Sequence, residues 1–118
     1  MAKKILWFSR HTPMAFQIPI LQNVFGEDIV LEQKVGNDSY INAEKLVQFM
    51  KENHFDEIVM VAPFSVIAKV IELGIKPIKA NTIEIKDAKD ATFSFSGRHY
   101  KFIKFVRVMR LELVTEDL

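Results

Sequence analysis

Short apolar runs alternate with longer stretches of helical spacing over the first two thirds of the chain. The runs at residues 4–8, 28–33 and 57–62 have the length and bulk of β-strands. After each run, apolar residues recur every three or four positions, as they do on one face of a helix. Three strand-then-helix units in series predict a parallel sheet with right-handed crossovers.

The first helix is predicted to begin at Thr12, as an N-cap, with Pro13 at the first helical position. We expect Gly26 to end this helix in the left-handed conformation. Pro19 falls within the pattern and predicts a kink or a separate first turn, because an interior proline removes a backbone hydrogen bond. The predicted buried stripe of the helix consists of Phe16, Ile20, Leu21 and Val24.

The second and third helices carry clearer boundary signals. Turn-forming residues at 36–39 precede Asn42, which is predicted to cap the second helix. The third helix is predicted over residues 64–73, with Ser65 as an N-cap-like residue and Gly74 ending it. The predicted buried stripe of the second helix consists of Leu46, Val47, Phe49 and Met50.

The pattern changes after Gly74, where no helical period fits. We expect a short fourth parallel strand, then antiparallel strands added to the edge of the sheet, because these residues alternate or are β-branched and aromatic. The predicted strands cover residues 77–80, 82–86, 92–95 and 100–114, with turns near 87–90 and 96–97. The predicted fold class is α/β, with a small Rossmann-like parallel sheet from three βα units and antiparallel strands in the carboxyl-terminal third.

Composition supports one globular domain over residues 1–118, since 49% hydrophobic and 26% charged residues are ordinary for a folded chain of this length. The chain has no cysteine, which excludes disulfides, thiolate metal sites and cysteine nucleophiles. The first apolar run ends at Phe8, too early for a membrane span or a signal-peptide core. We therefore expect a cytoplasmic protein without a membrane partner.

The first candidate site follows the first strand, where parallel sheets present ligand-binding loops. A hydroxyl, a guanidinium and an imidazole together with free helix amides suit a phosphate or carboxylate. Ser65, after the third strand, would wall the same crevice, and Arg98 and His99 would approach it. The alternative is that the hydroxyls only cap a helix and the charged groups are solvated. The loop residues of this site are Ser9, Arg10, His11 and Thr12.

Arg10 and His11, after a buried strand, resemble the Arg-His-Gly signature of the histidine phosphatases. The resemblance implies that His11 becomes phosphorylated during catalysis. Thr12 stands where that signature has glycine, and His99 is the one candidate for the family's second histidine. Phosphoryl transfer therefore ranks as the third functional hypothesis.

Basic residues recur every third position near the carboxyl end and are interleaved with aromatic residues, a combination that can track phosphates and stack bases. On a regular strand, period three places positions 98, 104 and 110 opposite positions 101 and 107, so no single face would collect them all. Their alternative role is to discourage aggregation at a sheet edge. The basic residues are Arg98, Lys101, Lys104, Arg107 and Arg110.

Strings at both ends, Ile5-Leu6-Trp7-x-Ser9-Arg10-His11 and Arg98-His99-Tyr100-x-Phe102, resemble a small prokaryotic family of unassigned function. This resemblance implies a family fold and supplies no activity.

Neither a metal nor a nucleotide cofactor is predicted. Glycine-rich phosphate-loop and dinucleotide motifs are missing from the sequence, and no two histidines have ligand spacing. We assign His54 to the end of the second helix, where a cation suits the dipole.

The leading hypothesis is a domain that binds a small anionic ligand or nucleotide, without established catalysis. The alternative is an interaction module, forming a homodimer or binding nucleic acid through the basic edge strand. The net charge of +1 lends little support to nucleic acid.

Overall fold

A computed structural model describes residues 2–9, 11–34, 42–112 and 114–118 of the chain. The turn predicted at residues 36–39 lies outside the described residues. The elements in chain order are β1 (Lys4–Phe8), α1 (Gln17–Phe25), β2 (Val30–Lys34), α2 (Ala43–Glu52), β3 (Glu57–Met60), α3 (Phe64–Glu72), β4 (Ile78–Ile85), a 3-10 turn (Ala88–Asp90), β5 (Phe93–Phe95) and β6 (Arg98–Arg107).

One mixed sheet with the strand order β2-β1-β3-β4-β6-β5 organises the molecule. The first four strands are parallel, and β6 pairs antiparallel with both β4 and β5. The predicted α/β class is confirmed. None of the helices in the described part of the chain is long and apolar enough to cross a bilayer.

The helices cover opposite faces of the sheet, because the right-handed crossovers from β1 to β2 and from β3 to β4 run in opposite directions across it. Leu21 of α1 packs with Ile5 and Trp7 on one side, which we call the α1 face. Residues of α2 and α3 pack with Leu6 and Phe8 on the other, which we call the α2–α3 face. Both sides of β1 are therefore buried, as its continuous apolar sequence predicts.

The first helix begins at Gln17, so the prediction of a start at Thr12 is wrong. A side-chain turn precedes the helix: the Met14 N–H donates to Gln17 Oε1, and the Gln17 N–H donates to the Met14 carbonyl, both at 2.9 Å. Pro19 is consequently the third helical residue. Its missing N–H is one that the first turn leaves unpaired in any helix, so the predicted kink has no cause.

The predicted stripe of α1 is only partly correct. Leu21 is buried, and its partner one turn earlier is the polar Gln17. Phe16 lies before the helix and packs its ring against Phe102, with 5.5 Å between centroids. Val24 is 68% exposed in the last turn.

The predictions for the other two helices hold more closely. The Asn42 side chain accepts a hydrogen bond from the Lys45 N–H at 3.2 Å, which confirms it as the cap of α2. The N-cap of α3 is Pro63, so Ser65 is the second helical residue and its predicted capping role is wrong. Gly74 follows the end of α3 with φ of +98°, a conformation that favours glycine. The buried residues of α2 include Leu46, Val47 and Met50, with Phe49 half-buried.

Strand β4 leaves the parallel sheet almost at once. Its register partner on β3 is a single residue, Ile78 opposite Val59, and the rest of β4 continues past the carboxyl end of β3. Residues 79–106, which include β5 and most of β6, therefore form a projecting arm. Two predicted strands, 77–80 and 82–86, are one strand because pairing with β6 continues through Asn81.

The carboxyl-terminal strand is shorter than predicted. It ends at Arg107, after which the Val108 N–H donates to the Pro77 carbonyl at 2.8 Å, so residues 108–112 do not continue the strand. The turns predicted at residues 87–90 and 96–97 are confirmed, with Gly97 at φ of +75°.

A β-bulge in β6 changes which residues share a face. Asn81 pairs with Lys104 but Thr82 pairs with Phe102, so Ile103 is an extra residue without a partner on β4. Lys101 and Lys104 consequently lie on the same face, although they are three apart. The prediction that they point to opposite faces is wrong because it assumed unbroken alternation.

The arm is fastened to the parallel sheet by an ion pair. The guanidinium of Arg107 donates two hydrogen bonds to the Glu57 carboxylate, at 2.8 and 3.1 Å, and a third to the Lys76 carbonyl at 2.9 Å. The Glu57 side chain is only 16% exposed, so solvent weakens this pair less than it weakens an open surface pair. Phe105 adds an edge-to-face contact with Trp7 on the same face.

Arg107→Ala should lower the free energy of unfolding by about 1 to 3 kcal/mol, because it leaves a partly buried carboxylate without its bidentate partner. Arg98 is the matched control, because both side chains of its ion pair with Glu84 are exposed. The Arg98 Nε and the Glu84 Oε1 are 3.7 Å apart. Arg98→Ala should cost less than about 1 kcal/mol. Urea denaturation of both variants measures the difference, and equal losses would show that Glu57 is not a specific anchor.

Candidate functional site

Two loops separate at the carboxyl edge of the parallel strands. Strands β1 and β3 are neighbours, and the Val61 N–H still donates to the Phe8 carbonyl at 3.0 Å beyond their ends. Residues 9–16 then lead to α1 on one face, and residues 61–63 lead to α3 on the other. The loops named from the sequence therefore do lie beside each other.

The loop after β1 is held by hydrogen bonds from three directions. The Ser9 side chain is buried, and its Oγ accepts from the His11 N–H at 3.2 Å. The Trp7 indole N–H donates to the His11 carbonyl at 2.7 Å. From the next strand, the Gln33 amide donates to the Ser9 carbonyl at 3.1 Å. The backbone at residues 9 and 11 is thus fixed before any ligand arrives.

Two side chains of this loop are directed outward. His11 and Thr12 are both exposed, while Arg10 lies outside the described residues. Thr12 does not cap α1, so its hydroxyl is not used by the helix. This leaves an imidazole and a hydroxyl available to solvent next to the buried Ser9.

The amino end of α1 offers few amide donors to a ligand. The Gln17 N–H is bonded to the Met14 carbonyl, and Pro19 has no N–H. The sequence-based expectation that this helix start holds an anion therefore lacks its main donors.

The start of α3 is more open. Its first recorded backbone bonds run from the Val66 and Ile67 N–H groups to the Pro63 carbonyl, at 3.0 and 3.2 Å. The side chains of Phe64 and Ser65 are exposed here, Phe64 to 68%. Ser65 thus stands on the β3 side of the same edge as His11, with an exposed aromatic ring beside it.

Arg98 and His99 lie elsewhere. His99 pairs with Ile85, seven residues along β4 from Ile78, which corresponds to about 23 Å of strand. The His99 Nδ1 lies 2.7 Å from the Ser94 Oγ, and Arg98 contacts Glu84. The structure therefore places both residues at the far end of the arm.

This separation bears on the resemblance to histidine phosphatases. The His11 carbonyl accepts a hydrogen bond from Trp7, which is aligned with Ile78 across the sheet. His99 lies at the tip of the arm. The two imidazoles do not meet across one site. Among the described residues no three His, Asp or Glu side chains form a metal-binding group.

The basic residues divide into two sets. Arg107 is bonded to Glu57, and Arg110, which follows β6, pairs with Glu112 at 3.3 Å. Lys101 and Lys104 are exposed and have no acidic partner within the described part of the chain.

Gln33 is the loop-supporting residue that the sequence analysis overlooked. It lies at the carboxyl end of β2, one position before the strand ends, and reaches the backbone of the neighbouring loop. A polar residue at that end of a strand is the signal that would have identified it.

Ser9→Ala should lower the free energy of unfolding by about 1 kcal/mol, because the His11 N–H loses its acceptor in a partly buried setting. Ser65→Ala serves as the control and should change stability by less than about 0.5 kcal/mol, since Ser65 is exposed. Thermal or chemical unfolding of both variants gives the comparison. If the two substitutions cost the same, the Ser9 hydroxyl does not hold the loop.

The edge therefore combines a hydrogen-bonded loop, an exposed imidazole, two exposed hydroxyls and the open start of a helix, contributed by His11, Thr12 and the first turn of α3. Comparisons of the chain with protein-family models, with curated proteins and with solved structures find no match.

Proposed function

We propose that this protein binds a small anionic ligand of the phosphate or mononucleotide class at the carboxyl edge of β1 and β3, in a Rossmann-like parallel sheet. One observation carries the proposal: the chain turns to opposite faces after these two adjacent strands. In open α/β sheets, ligands bind in the crevice that such a reversal creates.

The side chains at this edge suit an anion better than a neutral apolar molecule. His11, Thr12 and Ser65 provide hydrogen-bond donors, and no carboxylate lies within the segments 11–16 and 61–66 to repel a negative group. Arg10 belongs to the same loop in sequence and supplies a permanent positive charge. We therefore assign recognition of the anionic group to the loop after β1 and to Ser65.

The fixed backbone of the loop favours binding. Ser9 and the His11 carbonyl are already held by hydrogen bonds, so little chain entropy is lost when a ligand is bound. Phe64 offers an exposed ring on the same edge, and a nucleobase stacks well on such a surface. This contact favours a mononucleotide over inorganic phosphate.

Thermal unfolding tests the site with phosphate, sulfate and purine and pyrimidine mononucleotides as probes. A ligand at about 100 times its Kd stabilises the folded protein by about 2.7 kcal/mol, so the melting temperature should rise. His11→Asn should remove at least half of that rise.

His54→Asn is the control for that variant. His54 is also an exposed loop histidine, located after α2, and asparagine tolerates its positive φ of 59°. This substitution should leave the ligand-induced rise unchanged. No rise with any probe, or the same loss in both variants, would contradict the proposed site.

Trp7 provides a second measurement, because it is the sole tryptophan of the chain and its indole is bonded to the loop. Binding at the loop should alter its fluorescence in titrations with the same mononucleotides.

A further inference from the structure

The arm carries two chemically different faces, and the bulge at Ile103 creates the difference. On the α1 face, Arg98 pairs with Glu84 and Arg107 pairs with Glu57, so each cation is matched by an acid. The opposite side of the arm contains no acid in the paired registers. Its residues are Lys79, Asn81, Ile83, Ile85, Ser94, His99, Lys101, Lys104 and Val106.

Three lysines of this second face form a regular row. Lys101 is opposite Ile83, Lys104 is opposite Asn81, and Lys79 is two residues further along β4. Lys101 and Lys104 are therefore two strand positions apart on β6, or about 7 Å, and Lys79 lies diagonally across from Lys104 on β4, about 7 to 8 Å away. Without the bulge, Lys101 and Lys104 would lie on opposite faces, and the row would not exist.

The row is accessible. Lys101 and Lys104 are exposed and Lys79 is partly exposed, and no salt bridge engages any of them in the described part of the chain. Asn81 and Ile83, between them, are exposed as well. At these positions β4 has already passed the carboxyl end of β3.

We infer that this face, defined by Lys79, Lys101 and Lys104, binds the phosphate backbone of a nucleic acid without reading its sequence. The phosphates of one duplex strand rise about 3.4 Å each along the axis and are also displaced around it, so spacings of about 7 Å match neighbouring phosphates of the backbone. The lysines are not neutralised internally, which leaves their charge for a polyanion.

The same face lacks the features needed to stack nucleic-acid bases or to insert into a membrane. The aromatic residues Phe102 and Phe105 are on the α1 face, packed against Phe16 and Trp7, so they cannot stack bases here. Insertion into a membrane interface needs a broad apolar surface, whereas this face presents Ile83 between cations. Contact between the lysines and the phosphate backbone of a nucleic acid is the interaction that remains.

Fluorescence anisotropy with labelled duplex and single-stranded oligonucleotides of random sequence tests the inference. The wild-type protein should bind weakly, with affinity falling steeply between about 50 and 200 mM salt. The double variant Lys101→Gln, Lys104→Gln should reduce the affinity at least about tenfold. For the duplex, the slope of log affinity against log salt concentration should become shallower by about 1.8, the value for two phosphate contacts.

Lys45→Gln with Lys51→Gln is the matched control. Both residues are exposed on α2, on the outer side of the molecule, and the variant has the same net charge as the first. It should keep the wild-type affinity within about twofold. The single variant Lys79→Gln should lower affinity by a smaller factor than the double variant and provides a second test if the double variant unfolds.

Three results would overturn the inference. These are no binding of either oligonucleotide at low salt, equal losses in the two double variants, or binding of anionic lipid vesicles with no binding of oligonucleotides. The inference is independent of the proposed ligand site, because the Lys101→Gln, Lys104→Gln variant should retain any mononucleotide-induced rise in melting temperature.

Discussion

The ion pair between Arg107 and Glu57 joins two parts of the sheet that otherwise share very little backbone pairing. Glu57 begins β3, in the centre of the parallel strands, and Arg107 ends β6, at the base of the arm. Strand β4 lies between them, and Val59 with Ile78 is its one register pair with β3 among the described residues. This ion pair and the ring contact between Trp7 and Phe105 together hold the base of the arm against the parallel strands.

The arm begins at the edge of the sheet that carries the two candidate loops. Strands β1 and β3 end where β4 continues, so the candidate ligand edge and the arm are on the same side of the sheet. The aromatic contact between Phe16 and Phe102 links them directly. The segment before α1 and the arm are therefore in direct contact through these rings.

The sequence was sufficient for features governed by local rules. Apolar length located β1 and β3, Asn42 located the start of α2, and Gly74 the end of α3, because burial, capping and positive φ each act within a few residues. It failed for α1, where a second local interaction competes with the predicted cap. Gln17 starts α1 through its bond to Met14, although a stronger local cap signal stands upstream.

The site was predictable to the same extent. Its place at a strand end followed from the βα pattern, and Ser9, His11 and Thr12 do lie there. The grouping of Arg98 and His99 with that loop was not supported, since the length of the arm depends on how far β4 runs beyond its neighbour. An extra residue in a strand has no distinct signature in a sequence read with period two, so the lysine row was hidden as well.

The free edges of the sheet have a consequence for how the molecule behaves at high concentration. Strand β5 covers only Arg98–Tyr100 of β6 on the arm side, and the rest of that border carries the β6 bulge with Lys101 and Lys104. At the other border, β2 carries Glu32 and Lys34 among mostly exposed residues. Both borders therefore present charged side chains to a foreign strand, and the bulge breaks the regular template on the arm side. The arm can thus extend into solvent without inviting edge-to-edge polymerisation.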